Sequence, residues 1–141
     1  MRIHNQHSSA VLFAAGLIFL CSACSASNSS DALHKELKTI VSWIETTHAV
    51  GKPWKNGSVP SAYAARTFQT AQENLKQEVD SIQSIPISGS AKADLSMKLQ
   101  QMESSLEQAV QAVEKSDTSA LEQTLNQLTT AQQALSASTK F

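Results

Sequence analysis

Charge is scarce in this chain. Asp, Glu, Lys and Arg make up 16% of its 141 residues, with a formal net charge of −1, where an ordinary globular domain has about a quarter. A near-neutral chain offers no basic face for nucleic acid, so that class of partner is excluded. Turn-formers are equally few. Four glycines and three prolines cannot supply the frequent turns of an all-β domain, and no Gly-rich phosphate loop is present. Both cysteines fall within the first 24 residues. No disulfide staples the remainder, whose stability must come from packing.

Ser, Ala and Gln supply the polar bulk in place of charge. A Lys- and Glu-rich chain would read as a cytosolic coiled coil; this composition reads as a less charged secreted protein. The length fits one domain. After removal of a leader it still suffices for a modest core, with roughly 65% of the unfolded surface buried.

The amino terminus reads as an address. Met1 to Ala10 is polar, with Arg2 as its fixed positive charge, and Ala10 to Leu20 is wholly apolar or small. That run has the length of a signal-peptide core and falls short of the ~20 residues of a membrane-spanning helix. Small residues then precede Cys24. Leu20, Cys21, Ser22, Ala23 and Cys24 resemble the lipobox of bacterial lipoproteins, a short apolar or small stretch ending before a cysteine that receives lipid. One position departs: Cys21 stands where the family usually has Leu three residues before the modified cysteine. Bulky Leu20 before Cys21 rules out Cys21 itself on this pattern. The resemblance covers about the first 24 residues only.

It implies that a diacylglyceryl group joins the Cys24 thiol, that the leader is cut at residue 23, and that two or three acyl chains anchor the protein at ~0.8 kcal/mol per buried methylene. Ser25 in place of Asp after the lipidated cysteine implies outer-membrane sorting, facing the periplasm, where the host is Gram-negative. The alternatives are plain secretion with a cut near Ser22 and Ala23, and a retained membrane anchor. Cys21-x-x-Cys24 also has redox or half-zinc-site spacing, but Cys21 lies in the departing segment, and Ser25 in place of His rules out haem attachment. Residues 24–30, the cysteine and Ser-Ala-Ser-Asn-Ser-Ser, read as a flexible tether, leaving 31–141 as the domain.

Four amphipathic segments follow, and the fold class is all-α. Leu33, Leu37, Ile40, Val41 and Ile44 give one apolar stripe from Asp31 to about Val50, with Gly51 and Pro53 as stop signals. A loop over 51–60 is expected next. Ala64, Phe68, Ala71, Leu75, Val79 and Ile82 mark a second helix running to about Ile85. Leu95, Leu99, Met102, Leu106, Ala109 and Val113 alternate by four and three, a bundle seam, over about Ser90–Lys115. Ser119 and Glu122 have capping-box spacing ahead of a last helix with Leu121, Leu125, Leu128, Ala131 and Leu135. Short connections favour antiparallel neighbours. The expected architecture is an up-down four-helix bundle whose third and fourth helices form the tightest hairpin; the rival is a three-helix bundle with a loosely docked first helix.

The aromatics are uneven: Trp43, Trp54, Tyr63 and Phe68 lie in the first half, and only Phe141 in the second. They read either as a recognition surface or as a plug packing the loop onto the bundle. Trp54, between Lys52 and Lys55 in the expected loop, is the member best placed for contacts, including anionic headgroups. Glu45-Thr46-Thr47-His48 has the Glu-x-x-His spacing of helical di-iron sites but lacks its second copy, so a solvated or loosely paired His48 is expected and no metal. Met102 fits the core and Met97 lies off the seam, giving no haem pair. Beyond the leader only His34 and His48 are available as imidazole bases, and no nucleophile–base–orienter set emerges. The reading is therefore a non-enzymatic envelope lipoprotein, anchored at Cys24, without cofactor. Its bundle serves an interaction or structural role toward an envelope protein, with Trp43, Trp54 and Tyr63 as the candidate surface. The second reading is a ligand- or metal-binding bundle with a site near Trp43, His48 and Tyr63.

Overall fold

A computed structural model describes the backbone of residues 22–138 and the side chains of 28–137. The signal-peptide core and Phe141 lie outside the described residues, as does the side chain of Cys24. Four helices occupy nearly all of what is described: α1 (Ser22–Lys55), α2 (Ser61–Ser84), α3 (Gly89–Glu114) and α4 (Thr118–Ser138).

The apolar stripes meet in one core. Leu37, Ile40 and Ile44 from α1, Phe68, Leu75 and Ile82 from α2, Leu99, Met102 and Leu106 from α3, and Leu121, Leu128 and Leu135 from α4 are all buried. The α3 stripe is buried at every expected position, and Ser105, Val110 and Ala112 widen it. The buried hydroxyls of Thr47, Ser105 and Thr124 donate to carbonyls one turn back, those of Trp43, Gln101 and Ala120, at 2.9–3.0 Å. Each donor is thereby satisfied inside its own helix, which burial requires.

Neighbours run antiparallel. Trp54 at the end of α1 meets Ser61 at the start of α2. Lys98 reaches the Ala134 carbonyl across α3–α4, and Lys55 and His48 meet Glu122 and Thr129 across α1–α4. The helices form a ring without diagonal contacts, α1 to α2 to α3 to α4 and back to α1, an up-down-up-down four-helix bundle. In one respect it departs from expectation: α3 packs as extensively on α2 as on α4, so no hairpin is tightest. The α1–α4 seam is much the smallest of the four.

The largest difference from the sequence reading is the length of α1. It runs through Gly51 and Pro53 to Lys55, where a loop was expected. Proline within a helix costs about 3 kcal/mol by removing one backbone bond and crowding the carbonyl four residues back. Here it stands in the last turn, and burial of Val50, Gly51 and Trp54 on the bundle outweighs that cost. Gly51 serves packing rather than a stop: a Cβ on it would lie 2.9 Å from Leu125 Cδ1, so its bare backbone admits α4. At the other end α1 begins at Ser22 and takes in the expected tether. No Gly or Pro separates Ser22 from the packed turns, and extending an established helix is easier than nucleating one.

Both connections at the Lys55 end follow one design. Gly57 at φ 71° ends α1; its N–H donates to the Trp54 carbonyl and that of Ser58 to Pro53. Ser116 at φ 55° ends α3; its N–H donates to Val113 and that of Asp117 to Ala112. These are paired Schellman motifs, one with the glycine it favours and one with serine. Asp117 then caps α4, its Oδ1 accepting the Ala120 N–H at 2.9 Å. The expected Ser119–Glu122 capping box is thereby displaced, because Ser119 already lies inside the helix.

The two turns predict opposite responses. Ser116→Gly removes a left-handed strain of about 1 kcal/mol and should raise the urea midpoint with an unchanged slope. Gly57→Ala should lower stability by about the same amount, although a Cβ at Gly57 meets nothing within 4 Å.

Candidate functional site

The aromatic residues occupy one half of the bundle but do not share one role. Trp54 is 7% exposed and lies in α1, not in a loop. Its indole N–H donates to Ser61 Oγ at 3.0 Å, tying the last turn of α1 to the first turn of α2. The exposed-contact reading of Trp54 is corrected on this geometry: its ring is core and its one polar atom is used internally. The contact sits where the sequence carries Gly51 and Pro53, which made the segment look like loop. Trp43 is half-buried against the core, and Phe68 is fully buried. Tyr63, by contrast, is 59% exposed on the first turn of α2, and Met97 on α3 is 61% exposed.

The positions proposed for a ligand site do not converge on α1. Trp43 and His48 are five residues apart on one helix, about 140° around its axis, and so face different neighbours. His48 faces α4, with its Nε2 3.2 Å from Thr129 Oγ1. That seam has a regular ladder: His48 opposite Thr129, Gly51 against Leu125, and Lys55 Nζ 2.6 Å from Glu122 Oε2. Glu45 is exposed one turn from His48. Among the described residues no group of three or more His, Cys, Asp or Glu side chains is placed to hold a metal. His34 is exposed.

The basic pair beside Trp54 is also divided. Lys55 is held by Glu122, while Lys52 is exposed. Lys52 and partial burial together bear on His48: burial first, then the nearby ammonium, lower its pKa from the ordinary imidazole value. The neutral ring is the form that fits the seam.

One pair was not singled out by sequence. Glu78 of α2 is pushed up to about 7 by burial and then by the neighbouring carboxyl of Glu36 on α1, with Lys35 opposing. Charged residues on helices ordinarily lie on solvated faces.

The bundle surface carries shallow grooves. One between α3 and α4 is lined by amides and hydroxyls, including Gln101, Gln123, Asn126, Gln127 and Thr130. One between α2 and α3 has an apolar floor of Val79, Ile82 and Leu99, with Lys92 at its edge donating to the Gln83 carbonyl at 2.6 Å.

These placements predict a split among the aromatics. Trp54→Ala should destabilise by about 3–5 kcal/mol, whereas Tyr63→Ala should fall within about 0.5 kcal/mol of the parent; chemical denaturation of each variant checks both. For His48 the sign follows from linkage. A base with a lowered folded pKa binds more protons when unfolded, so its contribution is present above the unfolded value of 6.5 and is lost as pH falls toward the folded one. The stability advantage of the parent over His48→Gln should therefore shrink between pH 7.5 and pH 5, read from urea unfolding of both proteins.

No family model, curated protein or solved structure matches this chain.

Proposed function

We propose that the protein is a cell-envelope lipoprotein, anchored through lipid on Cys24, whose helical bundle acts as a non-enzymatic interaction or structural module. The observation that carries this reading is the ordered series of a polar start with Arg2, the apolar run Ala10–Leu20 and the lipobox-like Leu20-Cys21-Ser22-Ala23-Cys24. No helix of the described residues is long and apolar enough to cross a membrane, so attachment on this reading falls to the lipid.

Helix α1 gives the proposal a geometry. It contains Cys24 and continues without a break to Lys55, so the Lys55 end lies about 46 Å along the helix from the anchor. The Tyr63 turn and the two Schellman turns share that far end. On this reading they face away from the lipid and toward a partner in the envelope, and Lys52 and Lys55 do not meet the headgroups around the anchor while the bundle stands upright. Tyr63 is the exposed aromatic there, a residue type favoured at protein contacts because it combines apolar area with a hydrogen-bonding tip.

The test is direct. Mass spectrometry of protein recovered from its native membranes should show an amino terminus at Cys24 carrying diacylglycerol, and Cys24→Ser should release the chain from the membrane fraction. An unmodified Cys24, or an amino terminus at another residue, overturns the anchor. A photo-crosslinking side chain at position 63 should then capture an envelope protein that the same probe at the buried position 68 does not.

A further inference from the structure

We propose that two copies of the chain pair side by side through the outer face of α3 near its Gly89 end, with Met97 of each copy entering the groove between α2 and α3 of the other. The surface itself does not depend on lipid at Cys24. That reading enters only where the direction of the two chains is compared with it.

The face holds a projection and a recess at one height. Met97 is 61% exposed, a large apolar side chain left in water. Beside it, the groove between α2 and α3 has buried Leu99 and Ile82 and half-buried Val79 as its floor. On α3 the groove is lined from Gly89 to Leu99, a span that includes the level of Met97. An α-helix turns about 100° per residue. From Ala93, Met97 therefore lies about 40° around α3 on one side, while Gly89, Ser96 and Lys92 lie about 40°, 60° and 100° on the other. The line dividing projection from recess passes Gly89, Ala93 and Gln100. These three are exposed and uncharged, and a Cβ on Gly89 would meet nothing within 4 Å, so another helix can approach closely there.

Symmetry chooses the arrangement. A two-fold axis perpendicular to the paired helices brings like sides together, Met97 onto Met97 and recess onto recess. A two-fold axis running along the bundle brings unlike sides together, so each Met97 faces the groove of the other copy. The charges select the same axis. Asp94 is exposed on the Met97 side. Lys92 lies on the groove side, held at the rim by its bond to the Gln83 carbonyl at 2.6 Å. The axis along the bundle sets Lys92 of each copy across from Asp94 of the other at nearly equal height, whereas the perpendicular axis brings like charges to the same side. A second copy thus complements this face in both shape and charge. Both α1 helices then begin on the same side, the direction that one membrane requires of two lipid-anchored chains. One methionine from each copy is a small contact beside the ~1,200 Å² of a free-standing dimer, so pairing belongs where a surface confines the chains and raises their effective concentration.

Cysteine crosslinking of the full chain in phosphatidylcholine vesicles that hold no other protein tests the pairing. Gly89→Cys and Ala93→Cys stand beside the axis, so mild oxidation should link each to its own copy about tenfold faster than Glu45→Cys, which is exposed on α1. Adding Met97→Asp should remove that advantage while helix content by circular dichroism stays unchanged, since the side chain is exposed in the single copy. Gly89→Cys also separates the two arrangements, because the perpendicular axis would hold the two residues about 15 Å apart. Linkage no faster than that of Glu45→Cys overturns the proposal, as does linkage through Ala93→Cys alone or linkage that survives Met97→Asp. A conjugate of Gly89→Cys with a different protein in native membranes, without a homodimer in vesicles, assigns the groove to that protein and overturns it too. Failure of the anchor reading looks different. The parent, with no added cysteine, would then link through a bare Cys24, and that link adds equally to every variant and leaves their ranking intact.

Discussion

The bundle depends first on burial of the α3 stripe. Leu95, Leu99, Met102, Leu106, Ala109 and Val113 present apolar atoms along about five turns of one helix, and Val110 and Ala112 broaden the stripe until it faces two neighbours at once. A helix so amphipathic must be covered on both flanks, and α2 and α4 cover it equally. With those three helices in place, α1 completes the ring. It lies against α2 over a broad interface and against α4 over a narrow one.

The narrow seam explains why small and polar groups matter most where α1 meets α4. A helix approaches another closely only where a side chain is missing, and Gly51 supplies that gap opposite Leu125. On either side of it the contacts are His48 with Thr129 and Lys55 with Glu122. The second is partly exposed, so its Coulombic gain is small; it contributes more to register than to stability. The core apolar contacts are indifferent to pH, whereas His48 of α1, beside α4, and Glu78 of α2, beside Glu36 of α1, have shifted values.

Much of this was legible before any coordinates. The four stripes are long and regular, and each returned a helix whose expected positions are buried or half-buried. The boundaries at Ile85, Ser90 and Lys115 fell close to Ser84, Gly89 and Glu114, because proline, glycine and serine there break the pattern without compensation. What misled was punctuation inside α1. Gly51 and Pro53 carry the local chemistry of a stop, yet tertiary packing of Trp54 and the close approach to Leu125 override it. The same local weighting put Trp54 in a loop and at the surface. The serines of 25–30 looked like a linker for lack of any apolar stripe, and only the continuity of the backbone shows a helix there. Cross-helix facts were beyond reach: Glu36 with Glu78, His48 with Thr129 and Lys55 with Glu122 are 42, 81 and 67 residues apart in sequence. They follow from the register of two helices that periodicity cannot supply.

Register also links the anchor to the rest of the molecule. A flexible tether would decouple the bundle from whatever holds the amino terminus, since a coil transmits no orientation. A helix continuous from Ser22 to Lys55 transmits both direction and rotation, so a constraint at its first turns acts on the Trp54–Ser61 clasp and the His48 seam through about 50 Å of hydrogen-bonded backbone. That coupling is only as stiff as the attachment of α1 to α2. If the proposed lipid on Cys24 holds the first turns at a membrane, a load there reaches the bundle through the buried Leu37, Ile40 and Ile44 and through the Trp54–Ser61 bond.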